Sequence, residues 1–199
     1  MNDSGMIAPG ELTPLLQETG ALLHGHFRLS SGLHSDSYVQ CARLLEHPRN
    51  ASRIGSSLAD LVRELDAQRI VSPALGGVVI GYAVASALDV PFIFTERKEG
   101  EMVLRRGFSI EQGSRVLIVE DVVTTGKSTR ETEKVVEHAG GVVIGFASIL
   151  NRSGVSNPFD RPFFALLSLD LQTLVETECA LCASGVRLDS PGSRFASRT

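Results

Sequence analysis

Apolar residues fall in two rhythms along this 199-residue chain. Between Pro48 and Leu65 they recur at Ile54, Leu58, Leu61 and Leu65, a spacing of four, three and four that predicts a helix. Beyond it, uninterrupted apolar runs take over: "RIVS", "PFIF", "RVLIV" and "GVVIGFASIL". None of them alternates, so both faces of each strand need cover, as in a parallel sheet between layers of helices. The helical "GGVVIGYAVASAL" follows the first run, and a helix over about Lys127 to Ala139 follows the third. A polar stretch from Thr95 to Gly107 follows the second and reads as a loop. The sequence thus predicts an α/β fold with a central parallel sheet flanked by helices.

The ends are less regular. Thr13-Pro14 reads as a helix start, with Leu15, Leu16, Leu22 and Leu23 on one short amphipathic helix. Phe27 to Gln40 reads as two short strands around a Ser-Gly turn. The tail from Ser153 predicts a loop, then "FFALLSL", then a short helix near Leu171 to Thr177. No internal repeat or low-complexity linker divides the chain, so residues 1–199 are expected to form one domain.

Composition narrows the classes. A net charge of −4 supplies no basic field for nucleic acid. The longest apolar runs are strand-sized, short of the roughly 20 residues of a membrane span. The start "MNDSGMIAPGELTP" lacks the basic and apolar stretches of a signal peptide, and three cysteines are too few for a disulfide scaffold. A cytoplasmic protein is expected.

Candidate chemistry concentrates in "VLIVEDVVTTGKST", Val116 to Thr129. A buried strand ends on two acids, Glu120 and Asp121, and a hydroxyl-rich loop opens the next helix. In an open parallel sheet, ligands bind outside the carboxyl ends of the strands. Backbone N–H groups at a helix N-terminus favour an anion, and Thr124, Thr125, Ser128 and Thr129 add hydroxyls. "GKST" is not the end of a Walker loop: that motif needs glycine at position 121, where this chain has Asp. A carboxylate there repels a triphosphate but accepts hydrogen bonds from sugar hydroxyls. A ribose 5-phosphate offers both a phosphate for the loop and a diol for the acids.

This run resembles the motif by which type I phosphoribosyltransferases bind 5-phosphoribosyl 1-pyrophosphate (PRPP). Further segments resemble the short-form orotate phosphoribosyltransferases: "GHFRLSSGLHSDSYVQ" their hood motif, "SPALGG" their pyrophosphate-side loop, "ERKEGEMVLRRGF" their mobile catalytic loop, and "CALCASG" with "PGSR" their tail. The resemblance implies a small N-terminal hood, largely residues 1–45 plus part of the tail, over a PRPP-binding core at about 50–152. It implies PRPP contacts from Ala74, Leu75, Gly76, Arg97, Lys98, Glu120, Asp121, Val122, Val123, Thr124, Thr125, Gly126, Lys127 and Ser128. Lys98, Asp121, Arg105 and Arg106 would be catalytic, and Ser31, Tyr38, Thr124 and Arg152 would hold orotate. It also implies Mg²⁺ carried by the substrate rather than by a protein metal site, and a homodimer with shared active sites.

Arg152 follows the last long apolar run, so it lies on the edge that carries the acids, and a guanidinium can grip the carboxylate of orotate with two parallel bonds. The chain departs from longer relatives at Ser30 and Gly76, where those carry lysines, and Arg105 and Arg106 come nearest to their loop cations. Cys179 and Cys182 form a Cys-x-x-Cys with no histidine nearby in sequence, and read as structural residues of the tail. Two other readings remain: a purine phosphoribosyltransferase, and a PRPP-sensing regulator that binds nucleic acid.

Overall fold

The computed structural model describes residues 5–8, 10–29 and 31–191. In chain order the elements are α1 (Leu12–Glu18), β1 (Leu22–Arg28), β2 (His34–Val39), α2 (Cys41–Leu45), α3 (Pro48–Val62), β3 (Arg69–Pro73), α4 (Gly77–Leu88), β4 (Phe92–Lys98), β5 (Glu101–Leu104), β6 (Arg115–Val123), α5 (Lys127–His138), β7 (Val142–Asn151), β8 (Phe163–Ser168) and α6 (Ala180–Ala183). Six strands make the central sheet in the order β5-β4-β3-β6-β7-β8, while β1 and β2 pair as a separate antiparallel ribbon.

The unbroken apolar runs have a simple cause. On β6, Leu117 and Val119 enter one core with Ile54 and Leu58 of α3 and Ile80 and Val84 of α4. Val116 and Ile118, pointing the other way, enter a second core with Val136 of α5 and Phe146 and Phe159. Successive side chains on a strand face opposite sides, so a sheet covered on both needs apolar residues at every position.

Four expectations need correction. Leu22 and Leu23 belong to β1, opposite Val39 and Tyr38, because α1 stops at Glu18. Leu61 is 46% exposed; the buried stripe of α3 is Ala51, Ile54, Leu58 and Val62. The stretch from Thr95 to Gly107 is mostly a hairpin, with β4 antiparallel to β5 from Thr95↔Leu104 to Lys98↔Glu101. Its two-residue turn, Glu99-Gly100, holds both residues at positive φ, which suits the twist of a tight hairpin. Residues 171–177 do not form one helix: Leu174 bridges His34 on β2, and only the end of the stretch enters a helical turn, Glu176–Glu178, ahead of α6.

Candidate active site

Strands β3, β4, β6, β7 and β8 are parallel, so the segments after β3, β6 and β7 emerge at one edge of the sheet. These are Ala74–Gly76, Thr124–Gly126 and Arg152. The strand does not end on the acids: β6 runs on through Val122 and Val123, paired alongside β7 from Glu120↔Ser148 to Val123↔Asn151.

Being adjacent on a strand, Glu120 and Asp121 point to opposite faces. Glu120 turns towards α5, where buried Thr129 donates its hydroxyl to Oε2 at 3.1 Å. Thr129 therefore orients an acid instead of serving the phosphate loop. Asp121 turns towards the loop before α4, and its Oδ1 accepts the Val122 N–H at 2.9 Å. A Cβ at Gly76 would lie 2.7 Å from both Asp121 carboxylate oxygens, so this position tolerates no side chain while the acid stays in place. Burial raises both carboxyls; Glu120 reaches about 8, with the neighbouring Asp121 charge adding to the effect of burial.

The loop after β6 has the form expected of an anion cradle. Gly126 sits at the N-cap of α5 with φ +69°, and a Cβ there would lie 2.8 Å from the Phe159 ring. Arg130 ties the loop down by donating to the carbonyls of Thr125 at 2.6 Å and Pro158 at 2.5 Å. Thr124, Thr125 and Lys127 remain exposed and Ser128 half-buried, ahead of the positive end of the helix dipole.

Arg152 is anchored by its backbone, whose N–H bonds the Val123 carbonyl at 2.7 Å. Its guanidinium is partly desolvated, which lowers its pKa, and its buried Nε has no hydrogen-bond partner. Tyr38 on β2 feels the charges of both Arg152 and Asp121, and its phenol is raised chiefly by burial. The fold thus brings Tyr38, Asp121 and Arg152 from three separate segments to one place. Ser31 lies at the exposed tip of the β1–β2 turn, where its hydroxyl accepts the Leu33 N–H at 3.4 Å. Ser30 lies outside the described residues, as do Gly192, Ser193 and Arg194 of "PGSR".

Three of the four cations expected to act on the leaving group are engaged within or beside the hairpin. Arg97 pairs with Glu131 and donates to the Gly100 carbonyl at 2.5 Å. Arg105 and Arg106 share Glu96, at 3.3 and 2.9 Å. Lys98 is exposed at the end of β4, without an ion pair among the described residues. Cys41, not singled out in the sequence, is buried and electrostatically linked to both Asp121 and Arg152. Cys179 and Cys182, without a histidine nearby in sequence, have His26 and His34 directly beside them in space.

Residues 40–170, more than half of the chain, match the family model of the phosphoribosyl transferase domain, and the chain belongs to that family. A protein of Carboxydothermus hydrogenoformans named orotate phosphoribosyltransferase is 46% identical over 186 residues, covering 92% of this chain and 97% of its own. One of the same name from Thermotoga maritima is 46% identical over 180 residues, covering 90% and 96%. Within the family, the chain's place is with the orotate phosphoribosyltransferases. Among solved structures, a Mycobacterium tuberculosis orotate phosphoribosyltransferase in complex with inorganic phosphate superposes with a TM-score of 0.66 at 28% identity, over 80% of this chain and 94% of that one. An adenine phosphoribosyltransferase from Thermoanaerobacter pseudethanolicus, 18% identical with a TM-score of 0.57 over 67% of this chain and 88% of its own, shares the fold alone.

Proposed function

We propose that the chain transfers the 5-phosphoribosyl group of PRPP to N1 of orotate, releasing pyrophosphate and forming orotidine 5′-monophosphate. The observation that carries this reading is the half-buried Arg152, with an unpartnered Nε, near Asp121 and Tyr38. A planar anion placed there gains charge-assisted hydrogen bonds from the guanidinium.

The loop Thr124–Ser128 holds the 5-phosphate. Asp121 and Glu120 accept hydrogen bonds from the ribose hydroxyls and fix the sugar. Gly76 keeps the pyrophosphate side open. As the C1–oxygen bond breaks, positive charge grows on the ribose and negative charge on pyrophosphate, so fixed charges and positioning supply the catalysis. Lys98, with Arg97, Arg105 and Arg106 once they leave Glu131 and Glu96, neutralises the leaving group. Carboxylate oxygens at this edge suit a hard cation, and Mg²⁺ entering on the pyrophosphate supplies further charge neutralisation.

The same reading assigns a hood to β1, β2 and the tail, and a PRPP-binding core to about 50–152. It makes the enzyme a cytoplasmic homodimer with shared sites. Val79 and Tyr82 support the dimer: they lie three residues apart on α4 and are 45% and 66% exposed, and Leu75, in the turn just before the helix, is 87% exposed. No helix among the described residues is long and apolar enough to cross a membrane.

The test is the loss of orotate absorbance with PRPP and Mg²⁺, run beside adenine, guanine and xanthine. Turnover of orotate alone is expected. Turnover of a purine instead, or of no base together with a low-salt gel shift of DNA, overturns the reading.

A further inference from the structure

Where the β1–β2 ribbon meets the C-terminal segment, four side chains converge on a single point. His26 lies on β1 and His34 opens β2, so the hairpin sets their rings face to edge, with His26 Nε2 3.0 Å from His34 Nδ1. Cys179 and Cys182 arrive from the other end of the chain, on either side of the start of α6. Cys182 Sγ lies 3.2 Å from His34 Nδ1 and 3.6 Å from His26 Nε2, and Cys179 Sγ lies 3.4 Å from His26 Nε2. The four ligand atoms all fall within 4.8 Å of one another. Both histidines are 2% exposed and Cys179 is 5% exposed.

We propose that His26, His34, Cys179 and Cys182 form a structural zinc site that fastens the C-terminal tail to the β1–β2 ribbon. Tetrahedral zinc, with Zn–N about 2.0–2.1 Å and Zn–S about 2.3 Å, sets ligand–ligand edges of about 3.3 Å for N–N, 3.5 Å for N–S and 3.8 Å for S–S. The four separations above among His26, His34, Cys179 and Cys182 match those edges to within a few tenths of an ångström, and the other two lie within 4.8 Å. Two thiolates, two imidazoles and no carboxylate form a closed, borderline-soft set that suits zinc and not magnesium.

The tautomer fits as well. His26 Nδ1 lies 2.8 Å from the Val186 carbonyl, which can only accept, so that nitrogen carries the hydrogen. Nε2 is then a free lone pair aimed at the cluster, and the carbonyl fixes the ring as outer partners of metal-bound histidines do. Hydrogen bonding alone satisfies the cluster poorly. A protonated His34 Nδ1 has one hydrogen, with His26 Nε2 and Cys182 Sγ both within reach of it. A cation satisfies all four groups at once. Backbone pairing brackets the place: His34 exchanges both hydrogen bonds with Leu174, and Phe27 bridges Asp189.

The full, untagged chain, reduced and purified without chelator, is analysed for metal and then reconstituted with cobalt. One zinc per chain is expected, with cobalt giving the intense visible bands of a tetrahedral site and a thiolate charge-transfer band. Cys41→Ser keeps both signals, whereas Cys182→Ser and His26→Ala lose them. Removing zinc with a strong chelator lowers Tm without altering PRPP binding to the phosphate loop. Substoichiometric metal after reconstitution overturns the proposal, as does an octahedral cobalt spectrum or a Cys179–Cys182 disulfide in the native chain. If the cluster variants do not fold, the cobalt spectra of the unmodified and Cys41→Ser chains decide it alone.

Discussion

Asp121 and Gly76 face each other so closely that one added carbon at Gly76 would lie 2.7 Å from both carboxylate oxygens. Asp121 and the loop before α4 are therefore one steric unit, which the proposed function places on the sugar and on the pyrophosphate side. Gly76→Ala should push the Asp121 carboxylate aside. Because the displaced atoms are the end of a side chain, stability should change by less than about 1 kcal/mol. kcat/KM for PRPP should fall tenfold or more, since small misplacements of a positioning group are costly. Thermal melts and steady-state kinetics read the two effects separately, and an equal loss in both contradicts the assignment.

Asp121→Asn should leave folding nearly intact and lower turnover by orders of magnitude, because hydroxyl positioning loses a full acceptor. Activity within about threefold of wild type, roughly 0.65 kcal/mol of barrier, removes Asp121 from the mechanism.

Arg152→Ala should weaken orotate more than PRPP. Loss of a charge-assisted contact worth about 1.5–3 kcal/mol corresponds to a ten- to hundredfold drop in orotate affinity. Calorimetry with each ligand checks this, and equal losses would make Arg152 a scaffold residue.

Glu120 makes the ligand-free protein sensitive to pH. Its carboxyl titrates near 8 when folded, against 4.5 for an unperturbed glutamate. Between those values the native state holds a proton that the unfolded chain releases, so stability falls as pH rises. The contribution is whole below about 4.5 and gone above about 8. Glu120→Gln should flatten this slope, matching wild type in Tm at the acid end and exceeding it at the basic end. A wild-type slope no steeper than the variant's would show that Glu120 is not the group responsible.

Shared active sites make a prediction about mixtures. Asp121→Asn and Lys98→Ala chains, each inactive alone, should regain about a quarter of wild-type activity after random exchange, because half the dimers are mixed and each has one intact site. If the mixture stays inactive despite proven exchange, the hairpin serves its own subunit.

The sheet was legible because β6 and β7 are covered on both faces, which forces apolar residues at consecutive positions. The loop after β6, the proposed PRPP site, was legible because its parts are contiguous, from Glu120 to Ser128. The β4–β5 hairpin was not: β5 is a short edge strand whose Met102 alone is fully buried, and its turn, Glu99-Gly100, lacks the usual Asn-Gly or Asp-Gly. Leu22 and Leu23 kept a helical spacing that strand pairing overrode. The histidine–cysteine cluster joins residues more than 140 positions apart, which no spacing rule along the chain detects. The visible hints were two histidines placed either side of a tight turn and a Cys-x-x-Cys left without a partner.

The pairing of His34 with Leu174, and of Phe27 with Asp189, has a consequence for synthesis. Strands made among the first forty residues take backbone partners from the last thirty. The ribbon β1–β2 completes its contacts only after segments about 140 to 160 positions further along have been made, and closing so long a loop comes late. The core sheet, whose final strand ends at Ser168, can assemble first. A nascent chain therefore exposes the sheet edge that carries Asp121 and Arg152 before the segment that completes the neighbouring ribbon has been made.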